Sequence, residues 1–408
     1  METLKPELVS PAGDWSSLYS AVEAGCDAVY FGTKGMNMRA AAGNFDLLEL
    51  KKVMRSLHEK SVKGYLTINT IAFDREMDKA KRILDEARSC GVDAVILWDM
   101  GILRLAAETG LDIHLSTQAS VSNMEAVRFY ASLGVKRIVL ARECTLEDIR
   151  GIIKGIRDEG LGVSLETFIH GAMCVSISGR CFMSQEIFGR SANRGECLQP
   201  CRREYFIIDP DDKCRYLLGR DYVLSPRDLC TVAFIDELIE AGIGAFKIEG
   251  RMRPPEYVGA VTSSYRKAID AYYDGKLDAV LKSELEAGLE SVYNREFSEG
   301  FFRGTAPEDL GAWKGTSGHE KIFLGKVVKF YGRINVAEIK VTTRDLRRGD
   351  EIMIYGKNTP ASFTTAEELQ IEHESVEVAC QGQSVGVKLP FSARPNDKVF
   401  ILRPKQAV

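Results

Sequence analysis

One unit of helical and apolar segments repeats along residues 1–250. In each unit an amphipathic helical stretch ends at a glycine, one or two linking residues follow, and a short apolar strand comes next. The unit occurs in AVEAGCDAVYFG, EARSCGVDAVILWD, AAETGLDIHLSTQ, YASLGVKRIVLARE, IRDEGLGVSLETF and LIEAGIGAFKIEGR. Because the strands are continuous apolar runs, the pattern predicts parallel strands that are buried on both faces.

Two more apolar runs, PELVSPAG at the start and KGYLTINT at 63–70, bring the number of predicted strands to eight. Eight strand–helix units are typical of a TIM-like (β/α)8 barrel, which is the α/β fold that we predict. An open doubly wound sheet uses the same units and is the alternative. No G-x-G-x-x-G follows the first strand, which argues against a dinucleotide-binding sheet.

The predicted C-terminal strand ends carry many polar and charged residues. A TIM-like barrel gathers its functional groups at this end, so these side chains are expected to converge on one anionic or hydrogen-bonding ligand. The candidates for substrate binding are Asn69, Gln118, Arg142 and Arg251, and the candidates for catalysis are Glu166, His170, Lys247 and Glu249. Mutual salt bridges at the barrel rim are the alternative explanation of the charged residues.

The regular spacing fails after the seventh predicted strand, where residues 170–229 form a long insertion. Long irregular segments in compact domains are usually functional. This one is rich in Gly, Ser and Arg, and it contains four closely spaced cysteines in the order C-x6-C, fifteen residues, C-x3-C. The four are Cys174, Cys181, Cys197 and Cys201.

Thiolates are soft anionic donors, so this group of cysteines predicts a metal centre. Zinc ribbons favour two short matched pairs, whereas only Cys197–Cys201 is a short pair here. The wider spacing favours a bulkier iron–sulfur cluster, with zinc as the alternative. Cys230 is a possible alternative fourth ligand. A metal-free redox or nucleophilic cysteine, paired with His170, is the remaining alternative.

A different pattern begins after a polar, Gly-rich stretch near 311–318. The hydrophobic period becomes two, and six short strands are predicted, typical of a small closed β-barrel. We therefore predict a barrel domain over 1–310, with the Cys-rich insertion at 170–229, and an all-β domain over 320–408. The second domain contains LRRGDEIMIYG, which resembles domain 2 of translation factors. Its basic residues are expected to contact RNA phosphates, or else to form a solvated basic face: Lys326, Lys329, Arg333, Arg344, Arg347 and Arg348.

Length and composition limit the class of protein. The chain has 408 residues, 45% of them hydrophobic, which allows a large core and more than one domain. No apolar run reaches the roughly 20 residues of a membrane helix, and METLKPELVSPAG lacks the apolar region of a signal peptide, so we predict a cytoplasmic protein. The net charge of −4 does not indicate nucleic-acid binding by the chain as a whole, although a local basic patch remains compatible with it. HExxH, G-x-S-x-G and P-loop motifs are absent.

The cysteine-rich segment resembles a known family. ETFIHGAMCVSISGRCFMS, residues 166–184, is similar to the signature of the peptidase U32 family and fills its pattern without a gap. NRGECLQPCR, LSPRDL and FKIEGRMR resemble later motifs of the family. The resemblance covers essentially the whole chain.

This resemblance implies several activities. Some U32 members are described as collagenase-type proteases, and others hydroxylate RNA. One branch converts the wobble uridine of tRNA to 5-hydroxyuridine with prephenate as the implied oxygen donor, and another hydroxylates a cytidine of ribosomal RNA. A third branch, active in ubiquinone hydroxylation, carries 4Fe–4S clusters on four cysteines. The resemblance therefore implies that Cys174, Cys181, Cys197 and Cys201 are cluster ligands, with Cys230 still open as the fourth.

Our leading hypothesis is a 4Fe–4S-dependent RNA hydroxylase that acts on tRNA wobble uridine. Its expected partners are tRNA or rRNA, a small dicarboxylate such as prephenate, and a possible partner subunit of the same family. Arg142, Lys247 and Arg251 would bind the carboxylates through charge-assisted hydrogen bonds, and Glu166 would accept a proton. A collagenase-like peptidase is the alternative, although the sequence offers no convincing nucleophile and base. A non-catalytic RNA-binding or assembly factor is the second alternative.

Overall fold

The barrel half of the molecule is built from parallel strands. A computed structural model describes residues 5–203, 205–208, 215–218, 225–304 and 319–404. The strands up to residue 298 are β1 Glu7–Ala12, β2 Ala28–Gly32, β3 Lys63–Thr67, β4 Ala94–Leu97, β5 Asp112–Leu115, β6 Arg137–Val139, β7 Ser164–Ala172, β8 Tyr205–Ile208, β9 Arg215–Leu218, β10 Asp228–Cys230, β11 Ala245–Ile248 and β12 Phe297–Ser298. Strands β1 to β7 pair in sequence order, and β11 pairs in parallel with both β7 and β1. This closure confirms the predicted eight-stranded TIM-like barrel over the open sheet.

Helices follow the barrel strands. They are α1 Trp15–Glu23, α2 Leu50–His58, α3 Met77–Ser89, α4 Met100–Thr109, α5 Met124–Ser132, α6 Leu146–Asp158, α7 Met183–Phe188, α8 Ile235–Glu240, α9 Pro255–Tyr273 and α10 Ala279–Glu290. Asp99 caps α4 by accepting hydrogen bonds from two backbone N–H groups, and Gly110 ends it at φ 72°. Within the described ranges, no helix is long and apolar enough to cross a membrane.

The core lies in two places around the barrel wall. A large apolar cluster fills the space between the strands and the outer helices, where Leu8, Val29 and Leu66 are buried. A smaller cluster inside the barrel contains Tyr30 and Tyr65. Side chains alternate between these two clusters because successive strand residues point to opposite faces. The barrel interior is therefore a packed core.

The insertion after the seventh strand is partly regular. Strand β7 continues to Ala172, beyond the predicted strand end, and its last three residues pair antiparallel with β10. The described part of the insertion also contains α7 and the antiparallel pair β8–β9. Asp228 and Leu229, which were predicted to belong to the irregular insertion at 170–229, thus lie in β10, a strand that extends the sheet. Residues 204, 209–214 and 219–224 of the predicted insertion lie outside the described residues.

The C-terminal residues form antiparallel β-structure, which confirms the predicted all-β class. The strands are β13 His319–Tyr331, β14 Val336–Val341, β15 Leu346–Arg347, β16 Glu351–Gly356, β17 Thr359–Thr365, β18 Leu369–Ile371, β19 Glu374–Val376, β20 Val378–Ala379, β21 Ser384–Lys388 and β22 Lys398–Pro404. The six predicted strands miss β15, β17 and β18, whose polar or short sequences lack a clear apolar alternation. A separate apolar core lies under these sheets. The predicted junction at 310–320 falls mostly outside the described residues.

The all-β part packs against two barrel helices. Strand β17 contacts α1 and α9. The backbone N–H of Ala361 donates to Ser20 Oγ at 3.1 Å, and Lys321 Nζ lies 2.6 Å from Glu256 Oε1. This contact involves the two helices that follow β1 and β11. The six basic residues predicted to contact phosphates are all exposed.

Candidate active site

A cavity of about 170 Å3 lies at the C-terminal mouth of the barrel. Strand ends form its floor, the loop that follows β2 forms one wall, and the cysteine-rich segment forms another. Ten of the predicted site residues line it: Asn69, Gln118, Arg142, Cys174, Cys181, Cys197, Cys201, Lys247, Glu249 and Arg251. Glu166, His170 and Cys230 are not among the lining residues. The fold therefore brings most of the predicted residues together and separates three from them.

Arg142 lies at the centre of the cationic wall. Its guanidinium stacks 4.1 Å from the centroid of the Phe168 ring, and Nη1 donates to the carbonyl oxygen of Ala172 at 2.6 Å. Nη2 lies 3.8 Å from Glu249 Oε2. The Nε atom of Arg142 is buried and has no hydrogen-bond partner among the described residues. A buried charged donor without a partner is costly, and the neighbouring Ala172 and Glu249 contacts offset only part of that cost.

Arg251 is held from two sides at the floor of the cavity. Its Nη1 donates to Asn37 Oδ1 at 3.1 Å and to Thr67 Oγ1 at 2.8 Å. Burial lowers the pKa of Arg251 to about 10. Space for this side chain depends on Gly32, where an added Cβ would lie 2.7 Å from Nη1 of Arg251. The sequence predicted Arg251 but not the asparagine that orients it.

Glu249 is the acidic residue of the cavity wall. Its Oε1 accepts from Arg39 Nη2 at 3.1 Å. Burial disfavours the charged carboxylate, but the attraction of Arg39, Arg142 and Arg251 outweighs it and lowers the pKa of Glu249. The carboxylate is thus held in its charged form and orders the surrounding arginines, which makes it a poor proton acceptor at neutral pH.

Lys247 and Glu166 form a pair below the cavity. Lys247 Nζ lies 2.7 Å from Glu166 Oε1, and Arg137 Nη1 lies 3.4 Å from Glu166 Oε2. Glu166 is fully buried, and β7 continues for six residues beyond it. The prediction that Glu166 lies at a strand end is therefore wrong: it lies inside the barrel and reaches the cavity only through Lys247. Lys247 does line the cavity, where burial lowers its pKa.

Asn69 and Gln118 position each other. Asn69 Nδ2 donates to Gln118 Oε1 at 2.9 Å, and Gln118 Nε2 donates to the carbonyl oxygen of Asn69 at 3.0 Å. The backbone N–H of Met38 donates to Asn69 Oδ1 at 3.1 Å, which ties the loop after β2 to the pair. Both amides are buried and largely paired with protein groups. They shape the cavity wall.

The four cysteines of the insertion reach the cavity from separate points. Burial raises the pKa of the Cys201 thiol, the positive charge of Arg202 opposes this rise, and the nearby thiolates of Cys174, Cys197 and Cys181 add to it. At Cys174, burial opposes ionisation, but the Ser176 hydroxyl and nearby backbone N–H groups outweigh it and lower the pKa. Across the part of the chain that the structure describes, no three His, Cys, Asp or Glu side chains form a group that could hold a single metal ion.

His170 lies on the other side of β7. Lys247 pairs with Phe168, but its neighbour Ile248 pairs with His170, so Ile169 is an extra residue in a bulge. If side chains alternated regularly along β7, His170 would point to the inner face of the barrel, as Glu166 does. The extra residue in the bulge turns the His170 side chain to the opposite face. His170 is instead enclosed by aromatic rings of Tyr257, Tyr265 and Phe297. Burial lowers its pKa to about 3, so it is neutral, and the predicted Cys–His pair does not form.

Cys230 shares that aromatic compartment. Its Sγ lies 3.7 Å from the hydroxyl of Tyr265, and burial raises its pKa to about 12. It lies on β10, which pairs with the end of β7, and it does not line the cavity. The position of Cys230 therefore separates it from the four cysteines of the cavity.

Several lining residues were not predicted. Arg39 and Met38 come from the loop at 33–45, and Arg202 follows the last cysteine of the group. This loop packs tightly on the insertion, since the N–H of Ala40 donates to the carbonyl of Gly195 at 3.0 Å. The unusually long interval between β2 and α2 was the available indication that this loop has a function.

Comparison with known proteins gives the same assignment as the motif. The profile of Peptidase family U32 matches residues 13–311. The chain belongs to the peptidase U32 family. This U32 chain is 38% identical over 405 residues to a collagenase from Porphyromonas gingivalis, and the match covers 97% of each chain.

Two further U32 relatives have names that refer to RNA. The chain is 34% identical over 371 residues to tRNA hydroxylation protein P1 from Bacillus subtilis, covering 87% of this chain and 84% of that one. It is 34% identical over 360 residues to the 23S rRNA 5-hydroxycytidine C2501 synthase from Escherichia coli, covering 88% of this chain and 53% of the relative. The family thus contains proteins named for RNA hydroxylation as well as for collagen cleavage.

Proposed function

We propose that this U32 protein hydroxylates RNA, with the wobble uridine of tRNA as substrate and 5-hydroxyuridine as product. The observation that carries the proposal is one cavity that combines four cysteines with several buried cations. A redox centre beside an anion-binding wall is the arrangement that a hydroxylase with a carboxylate oxygen donor requires. The relative named for tRNA hydroxylation, aligned over 87% of this chain, supports the choice of RNA. For an RNA substrate we expect a cytoplasmic location.

The cavity residues fit a 4Fe–4S cluster by the chemistry of their donors. Cys174, Cys181, Cys197 and Cys201 would hold it, since all four thiols line the same cavity. The charge of Arg202 interacts with the thiolates of Cys201 and Cys174, and it offsets the negative charge that such ligands bring. When bound, the cluster supplies one-electron redox chemistry at the cavity.

The cationic wall is the proposed binding site for a small dicarboxylate such as prephenate, the proposed oxygen donor. Arg142, which lines the cavity and stacks on Phe168, supplies one guanidinium. Arg251, fixed by Asn37 and Thr67, supplies a second guanidinium. Charge-assisted hydrogen bonds in a desolvated site are stronger than neutral ones, which favours a dianion over an uncharged ligand.

Lys247 is the proposed proton donor or acceptor of the site. It lines the cavity, its pKa is lowered by burial, and Glu166 holds its ammonium group from below. A lysine with a lowered pKa releases a proton more easily than an exposed one. Glu166 itself does not reach the cavity, so we assign it the role of positioning Lys247.

The experiment compares RNA from cells with and without this chain. Nucleosides of digested tRNA and rRNA are separated and identified by mass spectrometry, and we expect 5-hydroxyuridine-type nucleosides to disappear on deletion. Complementation with wild-type chain should restore them, and complementation with Cys181→Ser should not. Chain purified without oxygen should absorb near 400 nm; a colourless, zinc-loaded chain would contradict the cluster. A partner subunit of the same family stays a prediction, tested by adding it when the purified chain alone is inactive.

A collagenase-like peptidase is the second candidate, because a collagenase-named relative aligns with 97% of the chain. Peptide hydrolysis needs an activated nucleophile with a base in hydrogen-bond reach. No histidine of the described residues lines the cavity, and His170 faces the aromatic compartment. Unchanged RNA together with cleavage of gelatin by the pure protein would favour the peptidase. Unchanged RNA without cleavage would favour an RNA-binding factor.

A further inference from the structure

Exposed apolar side chains surround the opening of the cavity. Phe182 is 74% exposed, Ile177 is 52% exposed, and Leu198 and Met252 are about half exposed at 46% and 45%. Met252 lines the cavity itself, and the chain neighbours of Phe182 and Leu198 also line it. Large apolar groups are rarely exposed together without a function. Their position around one opening indicates a surface that receives a partner.

The same rim is basic in an otherwise acidic chain. Residues 173–203 contain five arginines and two glutamates, whereas the whole chain has a net charge of −4. Arg180 is exposed, yet its Nη2 donates to the carbonyl of Gln118 at 2.9 Å and its guanidinium lies 5.2 Å from the Trp98 ring centroid. Arg203, also exposed, stacks 4.5 Å from the Phe188 ring centroid. Positive charge is therefore presented at fixed positions beside the apolar groups.

The backbone on both sides of Phe182 is anchored. The N–H of Cys181 donates to Asn193 Oδ1 at 3.2 Å, and Ser184 Oγ accepts from the N–H of Leu198 at 3.1 Å. Phe182 comes immediately before α7. An exposed ring on an anchored backbone loses little conformational freedom when a partner stacks on it.

We propose that this rim binds a single-stranded loop of RNA, with Phe182 stacking on a base next to the nucleotide that enters the cavity. Exposed aromatic rings interleaved with arginines are the usual platform for unpaired nucleotides, and negative phosphates complement the basic rim. A base inside a duplex could not reach the cavity without leaving its stack, which favours a loop over a helix. This inference rests on the proposed function, and it names the form of RNA and the residue that receives it.

The test measures RNA binding by the purified, cluster-loaded protein. A fluorescein-labelled RNA stem-loop with unpaired uridines is titrated by fluorescence anisotropy, and Phe182→Ala is expected to weaken binding roughly tenfold. Phe182→Trp should keep the affinity, because it keeps an aromatic face. Leu48→Ala is the matched control, since Leu48 is 95% exposed and belongs to another segment. A fully paired duplex of the same length should bind more weakly than the stem-loop.

The visible absorbance of each variant is recorded in the same samples. An affinity of Phe182→Ala equal to the wild type, with the absorbance unchanged, would overturn the docking proposal. A weakened affinity that follows loss of the absorbance would overturn it as well, because the effect would then come from the cysteines. Competition by a gelatin peptide and not by unlabelled stem-loop would assign the rim to peptides and overturn it too.

Failure of the proposed function gives a different result. In that case the wild type binds the stem-loop, Phe182→Ala loses it, and deletion of the chain leaves the hydroxylated nucleosides unchanged. That outcome supports the docking site and contradicts hydroxylation. In the opposite case, deletion of the chain removes the hydroxylated nucleosides, but Phe182→Ala keeps full activity and RNA affinity. That outcome supports hydroxylation and contradicts only the docking site at Phe182.

Discussion

Lys247 Nζ and Glu166 Oε1 lie 2.7 Å apart inside the barrel, where both side chains are almost completely buried. Two further charged residues extend this pair toward the N-terminal end of the strands: Arg137 Nη1 lies 3.4 Å from Glu166 Oε2 and 2.6 Å from Glu7 Oε1. Four alternating charges thus run from the floor of the cavity to the opposite end of the barrel. Each buried charge is compensated by an opposite charge beside it. Removal of one residue of a pair therefore leaves the charge of the other residue uncompensated in the low-dielectric interior.

Glu166→Gln should destabilise the protein, because it leaves the ammonium group of Lys247 buried without an anion. The free energy of unfolding is expected to fall by roughly 3 kcal/mol. Urea unfolding of the wild type, Glu166→Gln, Lys247→Met and the double variant gives the measurement. The double variant should lose less unfolding free energy than the sum of the losses in the two single variants. Strictly additive effects would show that the two residues are not coupled.

The cysteines divide into two groups with different expected behaviour. Cys174→Ser and Cys201→Ser should lose iron and the visible absorbance, because both thiols line the cavity. Cys230→Ala should keep both, because its thiol is enclosed with Tyr265 outside the cavity. Iron and sulfide analysis of protein purified without oxygen measures the difference. Loss of iron in Cys230→Ala with retention in Cys201→Ser would identify Cys230 as the fourth ligand.

Gly195→Ala should disrupt the contact between the insertion and the loop after β2. A Cβ at this position would lie 2.2 Å from the carbonyl oxygen of Asn37, and neither backbone can move away cheaply. Gly189→Ala is the control, since Gly189 also has a positive φ (66° against 85°) but no atom within 4 Å of the added Cβ. The control should lose only the roughly 1 kcal/mol of left-handed strain.

Limited proteolysis of the insertion and thermal unfolding distinguish these two glycine variants. Gly195→Ala should be cleaved faster within residues 173–203 and should retain less iron than Gly189→Ala. Equal behaviour of the two variants would mean that the close approach to Asn37 has no structural consequence.

Stability should fall on acidification because His170 is buried in its neutral form. Its folded pKa of about 3 lies below the value of about 6.5 in the unfolded chain, so between these values the unfolded state binds more protons. The stabilisation that comes from the neutral, buried His170 is fully present above pH 6.5 and is lost progressively as the pH falls toward 3. Because of this single group, the free energy of unfolding should be about 2 kcal/mol lower at pH 5 than at pH 8.

His170→Phe removes that proton uptake and keeps an aromatic ring among Tyr257, Tyr265 and Phe297. Urea unfolding at pH 8 and pH 5 should show a smaller loss of stability for the variant than for the wild type. His114, whose pKa is also lowered by burial, remains in both proteins and cancels in the difference. An equal loss in both proteins would show that His170 is already protonated or accessible in the folded state.

Much of the barrel was predictable from local patterns. Continuous apolar runs such as AVYFG and AVIL are typical of parallel strands buried on both faces by helices, and the structure contains them as β2 and β4. The C-terminal strands β17 and β18 were less predictable, because their positions depend on pairing with distant strands and not on their own alternation. The four cysteines were identifiable as a group because they are close in sequence.

The sequence shows locally which charged and polar residues lie near strand ends. Which of these residues line the same cavity depends on long-range contacts. Arg142 and Arg251 follow apolar runs, Lys247 lies near the end of one, and strand ends of a closed barrel must meet at one mouth. The bulge at Ile169 arises from the pairing of β7 with β11 and turns His170 away from the cavity. The docking of Arg39 on Glu249 joins residues 210 positions apart. Local patterns therefore specify which strands and which chemistry the chain contains, whereas strand register and loop docking determine which side chains share one cavity.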